Sequence, residues 1–231
     1  MSVASHPARL LSVQVLRGIA AFMVVVFHIY ELQRLALTAP GAPAGAASDL
    51  ALISGPWMRG YAGVDMFFVI SGFIMVYITA NIAPNWRQSV KFLRNRAVRI
   101  YPLWWVFCAI LSVYYMMSFG VPYSSDAVAA DTQTLPYLIK SAFLIPQSDY
   151  PVLGVGWTLI HEVFFYIIFA VLLLTAFKFR ILALMLWAGL VIAAAVLSWA
   201  RTPATDFASL SISLFTLEFI AGALAAALVV R

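Results

Sequence analysis

Apolar residues run through this chain in continuous blocks and do not alternate with polar ones. Residues 66–86, 100–125 and 181–200 carry no charged side chain, and 207–230 is interrupted only by Glu218. Each block is about the 20 residues that a helix needs to cross a bilayer. Continuity, as against a period of two, selects helices over barrel strands. The pattern predicts an all-α fold, a polytopic transmembrane bundle of about six spans: 15–32, 61–79, 100–119, 152–177, 181–200 and 209–230. An even number returns both termini to one side.

The breaks in the pattern are equally informative. Residues 39–47 are rich in Pro, Gly and Ala and read as a flexible loop. Pro84, Pro102 and Pro122 fall at the edges of the second and third spans, where a residue without an N–H costs least. An apolar piece over 135–146, bounded by prolines, is too short to cross and predicts a helix lying in the interface or dipping into the protein. There is no internal repeat, low-complexity run or soluble domain, so a single membrane domain over 1–231 accounts for the chain. Its stop directly after a span suggests a shortened member or a fragment that lacks further C-terminal spans.

Composition removes the soluble alternative, because 64% of the residues are hydrophobic and 10% charged, against roughly 45–50% and about 25% in soluble domains. The net charge of +5 does not signal nucleic acid, since the basic residues gather between spans instead of along one stripe. Arg87, Lys91, Arg94, Arg96 and Arg99 crowd one short connection, and Lys178 with Arg180 mark another. Cytoplasmic loops carry such excesses, so both termini are expected inside and the loops 31–60, 120–150 and 201–206 outside. The second of these carries Asp126, Asp131 and Asp149 against Lys140. A cleaved signal peptide is the competing account of the N-terminus, with Arg9 and Arg17 ahead of an apolar stretch; the polar residues inside that stretch and the spans that follow favour a retained helix. Cys108 is the only cysteine, and the histidines at 6, 28 and 161 lack ligand spacing, so no metal site is expected. No phosphate-binding glycine loop and no Gly-x-Ser-x-Gly elbow occurs.

Ionisable groups inside hydrocarbon need a reason, since each costs about 2.5–3.5 kcal/mol at a helix centre. Arg17, His28, Glu162 and Glu218 are such groups. Arg17 and His28 are 11 residues apart, close to three full turns, so both occupy one helix face about 16 Å apart. They can line one cavity at two depths, or snorkel to the two headgroup layers. Asp65 stands at the start of the second span, where a helix cap explains it as well as chemistry does. Ser71-Gly72-Phe73 reads as a close helix contact. Glu162 and Tyr166 share a face, whereas His161 points elsewhere and reads as an interfacial residue. Glu218 has no evident role.

Taken together, four blocks are recognisable. They are Val13-Gln14-Val15-Leu16-Arg17-Gly18 through His28, Gly63-Val64-Asp65-Met66-Phe67-Phe68 through Phe73, Arg94-Asn95-Arg96-Ala97-Val98-Arg99-Ile100-Tyr101-Pro102, and Gly156-Trp157-Thr158-Leu159 with Glu162, Phe165 and Tyr166. In this order they resemble the integral-membrane acyltransferase-3 family, in particular its exopolysaccharide and O-antigen O-acetyltransferase branch. The resemblance implies an enzyme of the bacterial inner membrane that moves an acetyl or short acyl group from acyl-CoA, without a metal, to a hydroxyl of a polysaccharide or lipid-linked oligosaccharide. It implies that Arg17 and His28 are the family's arginine-histidine pair, with Asp65 or Glu162 orienting the imidazole. Arg17, Arg94, Arg96 and Arg99 would meet the phosphates of acetyl-CoA, and Trp157 and Tyr166 would shape the acceptor pocket. Ile160-His161 departs from the residues that relatives often carry there.

A transporter or flippase for a lipid-linked or acyl substrate is the rival class, with an inactive membrane subunit as the third. No matching inverted halves occur, which counts against transport. The topology is tested with single cysteines introduced over 94–99 in a Cys108→Ser background: they should react only with reagent admitted to the cytoplasmic side. Reaction from outside would invert the whole assignment.

Overall fold

A computed structural model describes residues 6–39, 56–124, 128–129, 132–197 and 206–230. Asp126, Asp131 and nearly all of the 39–47 loop lie outside them. The described residues form helices α1 (His6–Thr38), α2 (Ala62–Thr79), α3 (Trp86–Phe119), α4 (Thr134–Phe143), α5 (Gly156–Leu172), α6 (Phe177–Val196), α7 (Phe207–Ser211) and α8 (Leu214–Val229). A 3₁₀ turn, Pro56–Tyr61, leads into α2. The chain divides into two compact units, Met1–Ser71 and Gly72–Arg231, with the boundary inside α2.

All six expected apolar helices are present, and among the described residues four are long and apolar enough to cross a bilayer: Leu11–Thr38, Arg59–Thr79, Trp86–Phe119 and Phe177–Val196. Helices α5 and α8 have 17 and 16 residues. Packing within the second unit fixes where each of them begins. A Cβ at Gly156, the first residue of α5, would collide with the Trp104 ring, and Trp104 lies near the middle of α3. Trp187, midway along α6, donates its indole N–H to the Ser211 carbonyl at 2.7 Å, two residues before the α8 cap. Both helices therefore begin beside the midpoint of a longer one.

The short helix expected over 135–146 is α4, and it is held at its carboxyl end. Tyr101 O–H, Trp104 Nε1–H and Trp105 Nε1–H donate to the carbonyls of Phe143, Ser141 and Ala142 at 3.0, 3.0 and 2.9 Å. The last carbonyls of a helix have no partner of their own, and three aromatic donors from α3 supply them. The returning chain is tied in as well: Ser141 Oγ accepts from Gln147 Nε2 and from the Val152 backbone N–H. Tyr137 O–H reaches the Tyr150 carbonyl. On the same loop, Asp149 accepts from Thr132 Oγ1 at 2.8 Å and from the Ala129 N–H at 3.2 Å. A core containing Trp104, Tyr137, Leu144, Val152, Phe164 and Leu210 joins α4, this loop and α7 to α3 and α5.

Three expectations change. The basic cluster 87–99 is not a short connection but the first turns of α3, a helix of 34 residues, about 51 Å long and longer than the hydrocarbon is thick. Pro102 lies inside that helix rather than at its edge; its missing N–H leaves one carbonyl of the preceding turn unbonded, which a helix tolerates at a kink. The helix ends at Gly120, whose φ of 75° suits a residue without Cβ and whose N–H caps the Met116 carbonyl.

Arg180 is the third. It is 2% exposed, and its guanidinium donates to the carbonyls of Thr175, Thr79 and Ile82 at 2.9, 3.1 and 2.7 Å. One planar fork thus closes the end of α2 and the turn into α6. In the helix stripe to which Ser71-Gly72-Phe73 belongs, Gly72 lies so close to α8 that a Cβ would strike the Phe219 backbone carbonyl, as the small-residue reading expects.

Lysine cannot reproduce three divergent donors from one plane. Arg180→Lys should lower stability by about 2–3 kcal/mol, the cost of leaving buried carbonyls unpaired. Thermal unfolding in detergent measures it; an unchanged midpoint would contradict the role given to this guanidinium.

Candidate active site

In the first unit the polar residues of α1 flank a packing stripe. The 3₁₀ turn and the start of α2 rest on α1 through glycines. A Cβ at Gly60 would meet the Met23 carbonyl and the Phe27 side chain, and one at Gly63 would meet the Ala20 carbonyl and Val24 Cγ2. Ala20 is fully buried there. With a helical period of 3.6, Arg17, Val24 and His28 lie along one edge of this stripe. Gly63, at the level of Ala20 and Val24, is between Arg17 and His28 in height, and Asp65 follows it in the first turn of α2. Arg17 and Asp65 are half-buried, and each interacts with a neighbouring group.

His28 is exposed, with its ring edge-on to Phe27 at 5.7 Å. Its Nδ1 lies 2.8 Å from the Val24 carbonyl. A carbonyl only accepts, so Nδ1 carries the proton and Nε2 presents its lone pair. The sequence reading gave the orienting contact to Asp65 or Glu162; at Nδ1 it is a carbonyl one turn back on the same helix.

In the second unit two faces of α5 go to different neighbours. Trp157, His161 and Phe165 face α8: Trp157 and His161 lie 5.1 and 5.5 Å from the Phe215 ring, and Phe165 stacks on Phe219 at 4.2 Å. His161 is buried, and its Nδ1 lies 3.0 Å from the Trp157 carbonyl. The interfacial reading of His161 is therefore replaced by a packed imidazole between α5 and α8. Glu218 sits on α8 one turn beyond Phe215, half-buried and engaged in a polar contact.

Glu162 and Tyr166 form the other face, which meets α3. The Tyr166 hydroxyl donates to Glu162 Oε1, and its ring is edge-on to Phe92 at 6.0 Å. Arg96 lies over both rings, its Cζ 5.3 Å from each centroid. Of the basic residues assigned to the donor, Arg94 and Arg99 are exposed, whereas Arg96 is half-buried against these aromatics. The i,i+4 spacing signals the Glu162–Tyr166 pair, but the placing of Arg96 on it has no sequence signal, because it joins two helices far apart in the chain. Among the described residues, no set of three or more His, Cys, Asp and Glu side chains is placed to hold a metal ion.

Comparison with known proteins identifies the family. The acyltransferase-3 family model, described as an acyltransferase domain, matches residues 10–231. The exopolysaccharide production protein ExoZ of Rhizobium meliloti (strain 1021) is 34% identical over 119 residues, 48% of this chain and 33% of that protein. The matched stretch is thus about a third of the relative's length. No solved structure matches the chain. A match from residue 10 to residue 231, with four apolar helices of spanning length, places the chain in the acyltransferase-3 family of multi-pass membrane proteins.

Proposed function

We propose that the chain transfers an acetyl or other short acyl group from acyl-CoA to a hydroxyl of an exopolysaccharide or its lipid-linked precursor, at the bacterial inner membrane. One observation supports this reading above the rest: the His28 imidazole is held with Nδ1–H on a backbone carbonyl, which directs a basic Nε2 outward from a helix that also bears Arg17. Family membership supports acyl transfer, and the printed name of the Rhizobium relative supports a polysaccharide acceptor.

In the proposed step the sugar hydroxyl oxygen attacks the thioester carbonyl. The C–O bond forms as the C–S bond breaks, the hydroxyl proton passes to His28 Nε2, and the departing thiolate of CoA takes that proton. A neutral imidazole suits both halves of this exchange near neutral pH. Arg17, Arg94 and Arg99 are proposed to meet the donor phosphates, since guanidinium forks match phosphate oxygens. Asp65 or Glu162 is proposed as the carboxylate that favours the imidazolium formed in transit, as a triad carboxylate does. The Trp157 ring is proposed to line the acceptor side, because aromatic faces suit the apolar faces of sugars.

His28→Ala should abolish acylation of the glycan while the protein still inserts, a loss of at least about 10²–10⁴-fold if general-base catalysis is the part removed. Mass spectrometry of the cell's polysaccharide, with and without the variant, reads the missing acetyl mass. Full acetylation by an inserted His28→Ala protein would remove the mechanism. Loss of the polysaccharide itself from the cell surface would favour transport instead.

A further inference from the structure

Tyr166 and Arg96 are each tied to something other than a ligand. The Tyr166 hydroxyl donates to Glu162 Oε1, and the residue is 5% exposed. Phe92 holds the ring edge-on at 6.0 Å, and Arg96 Cζ stands 5.3 Å from the Tyr166 centroid. A carboxylate among apolar side chains is strongly disfavoured unless it is hydrogen-bonded and accompanied by positive charge. The phenol supplies that bond to Glu162, and the guanidinium of Arg96 lies over the phenol ring. The ring also presents its negative face to the cation, so Arg96 fixes the ring from one side while Phe92 limits its rotation from another.

We infer that Tyr166 is a positioning residue for acyl transfer, fixing the direction of the Glu162 carboxylate, and that Arg96 braces Tyr166 instead of serving as a phosphate ligand. The inference rests on the proposed catalytic role of Glu162. With Oε1 held by the phenol, the second oxygen can turn only about the remaining torsions of a side chain anchored on a packed helix. The simplest rival is that an i,i+4 tyrosine merely satisfies a half-buried carboxylate and has no bearing on turnover.

Steady-state acetyl transfer by the full chain in lipid nanodiscs separates these. Tyr166→Phe keeps the ring and removes only the hydroxyl. It should lower kcat roughly tenfold to a hundredfold, the size of one hydrogen bond to a charged group, with KM for acetyl-CoA unchanged. Arg96→Lys keeps the charge but loses the planar stack, and should lower kcat to a smaller extent, again without raising KM for the donor. Should Tyr166→Phe not insert, Arg96→Lys carries the test alone. An unchanged kcat in Tyr166→Phe, with Glu162→Gln inactive, overturns the positioning role while leaving the reading of Glu162 intact. Full activity in Glu162→Gln overturns that reading and the inference with it. A raised donor KM in Arg96→Lys at unchanged kcat returns Arg96 to the phosphates and overturns the brace.

Discussion

A peptide carbonyl inside hydrocarbon has no water to bond, and each reversal of the chain at membrane depth exposes several. Within the second unit side-chain donors close carbonyls at several chain reversals. Tyr101, Trp104 and Trp105 take the three terminal carbonyls of α4, Arg180 takes those at the ends of α2 and α5, and Trp187 takes the one before α8. With these carbonyls closed, α5 and α8 can begin beside the midpoints of longer helices instead of at a water-exposed surface. The chemistry-bearing residues depend on that start. Trp157, His161 and Glu162 lie within the first two turns of α5, so their height is set by the Trp104–Gly156 contact.

Starting at half-height also places polar side chains among packed aromatics without stranding them. His161 has its Nδ1 on a backbone carbonyl, Glu162 accepts from Tyr166, and Arg96 lies on aromatic faces. In the first unit His28 is oriented by its own helix through Val24. Local satisfaction of this kind fixes the direction of these side chains, which, in the proposed function, is the condition for preorganised catalysis.

The placement of the six apolar helices was legible in the sequence because uninterrupted apolar runs report length and solvent directly. The short helix α4 was legible for the same reason, as a run too brief to cross. Hydropathy reports how many residues a helix has and not where its first turn stands against a neighbour, so the half-height starts of α5 and α8 were invisible. Arg180 shows a related limit: a lone arginine between apolar runs reads as a topology marker, and only the fold reveals three carbonyls around it. In the site, helical periodicity put Arg17 and His28 on one edge of α1 and separated His161 from Glu162. It could not pair Arg96 with Tyr166, since contact between distant helices leaves no period in the chain. Nor could it foresee that Val24 orients His28, because every helical residue offers such a carbonyl.

Under the proposed function the protein takes acyl groups from the cytoplasmic thioester and leaves them on a glycan hydroxyl. The most direct measurement uses the purified full chain in sealed proteoliposomes, with radiolabelled acetyl-CoA supplied only on the side bearing the 94–99 segment and an acceptor oligosaccharide on the other. Label in the oligosaccharide, released by mild alkali as acetate, is the predicted result. Transport of unmodified oligosaccharide without any label transfer would contradict it.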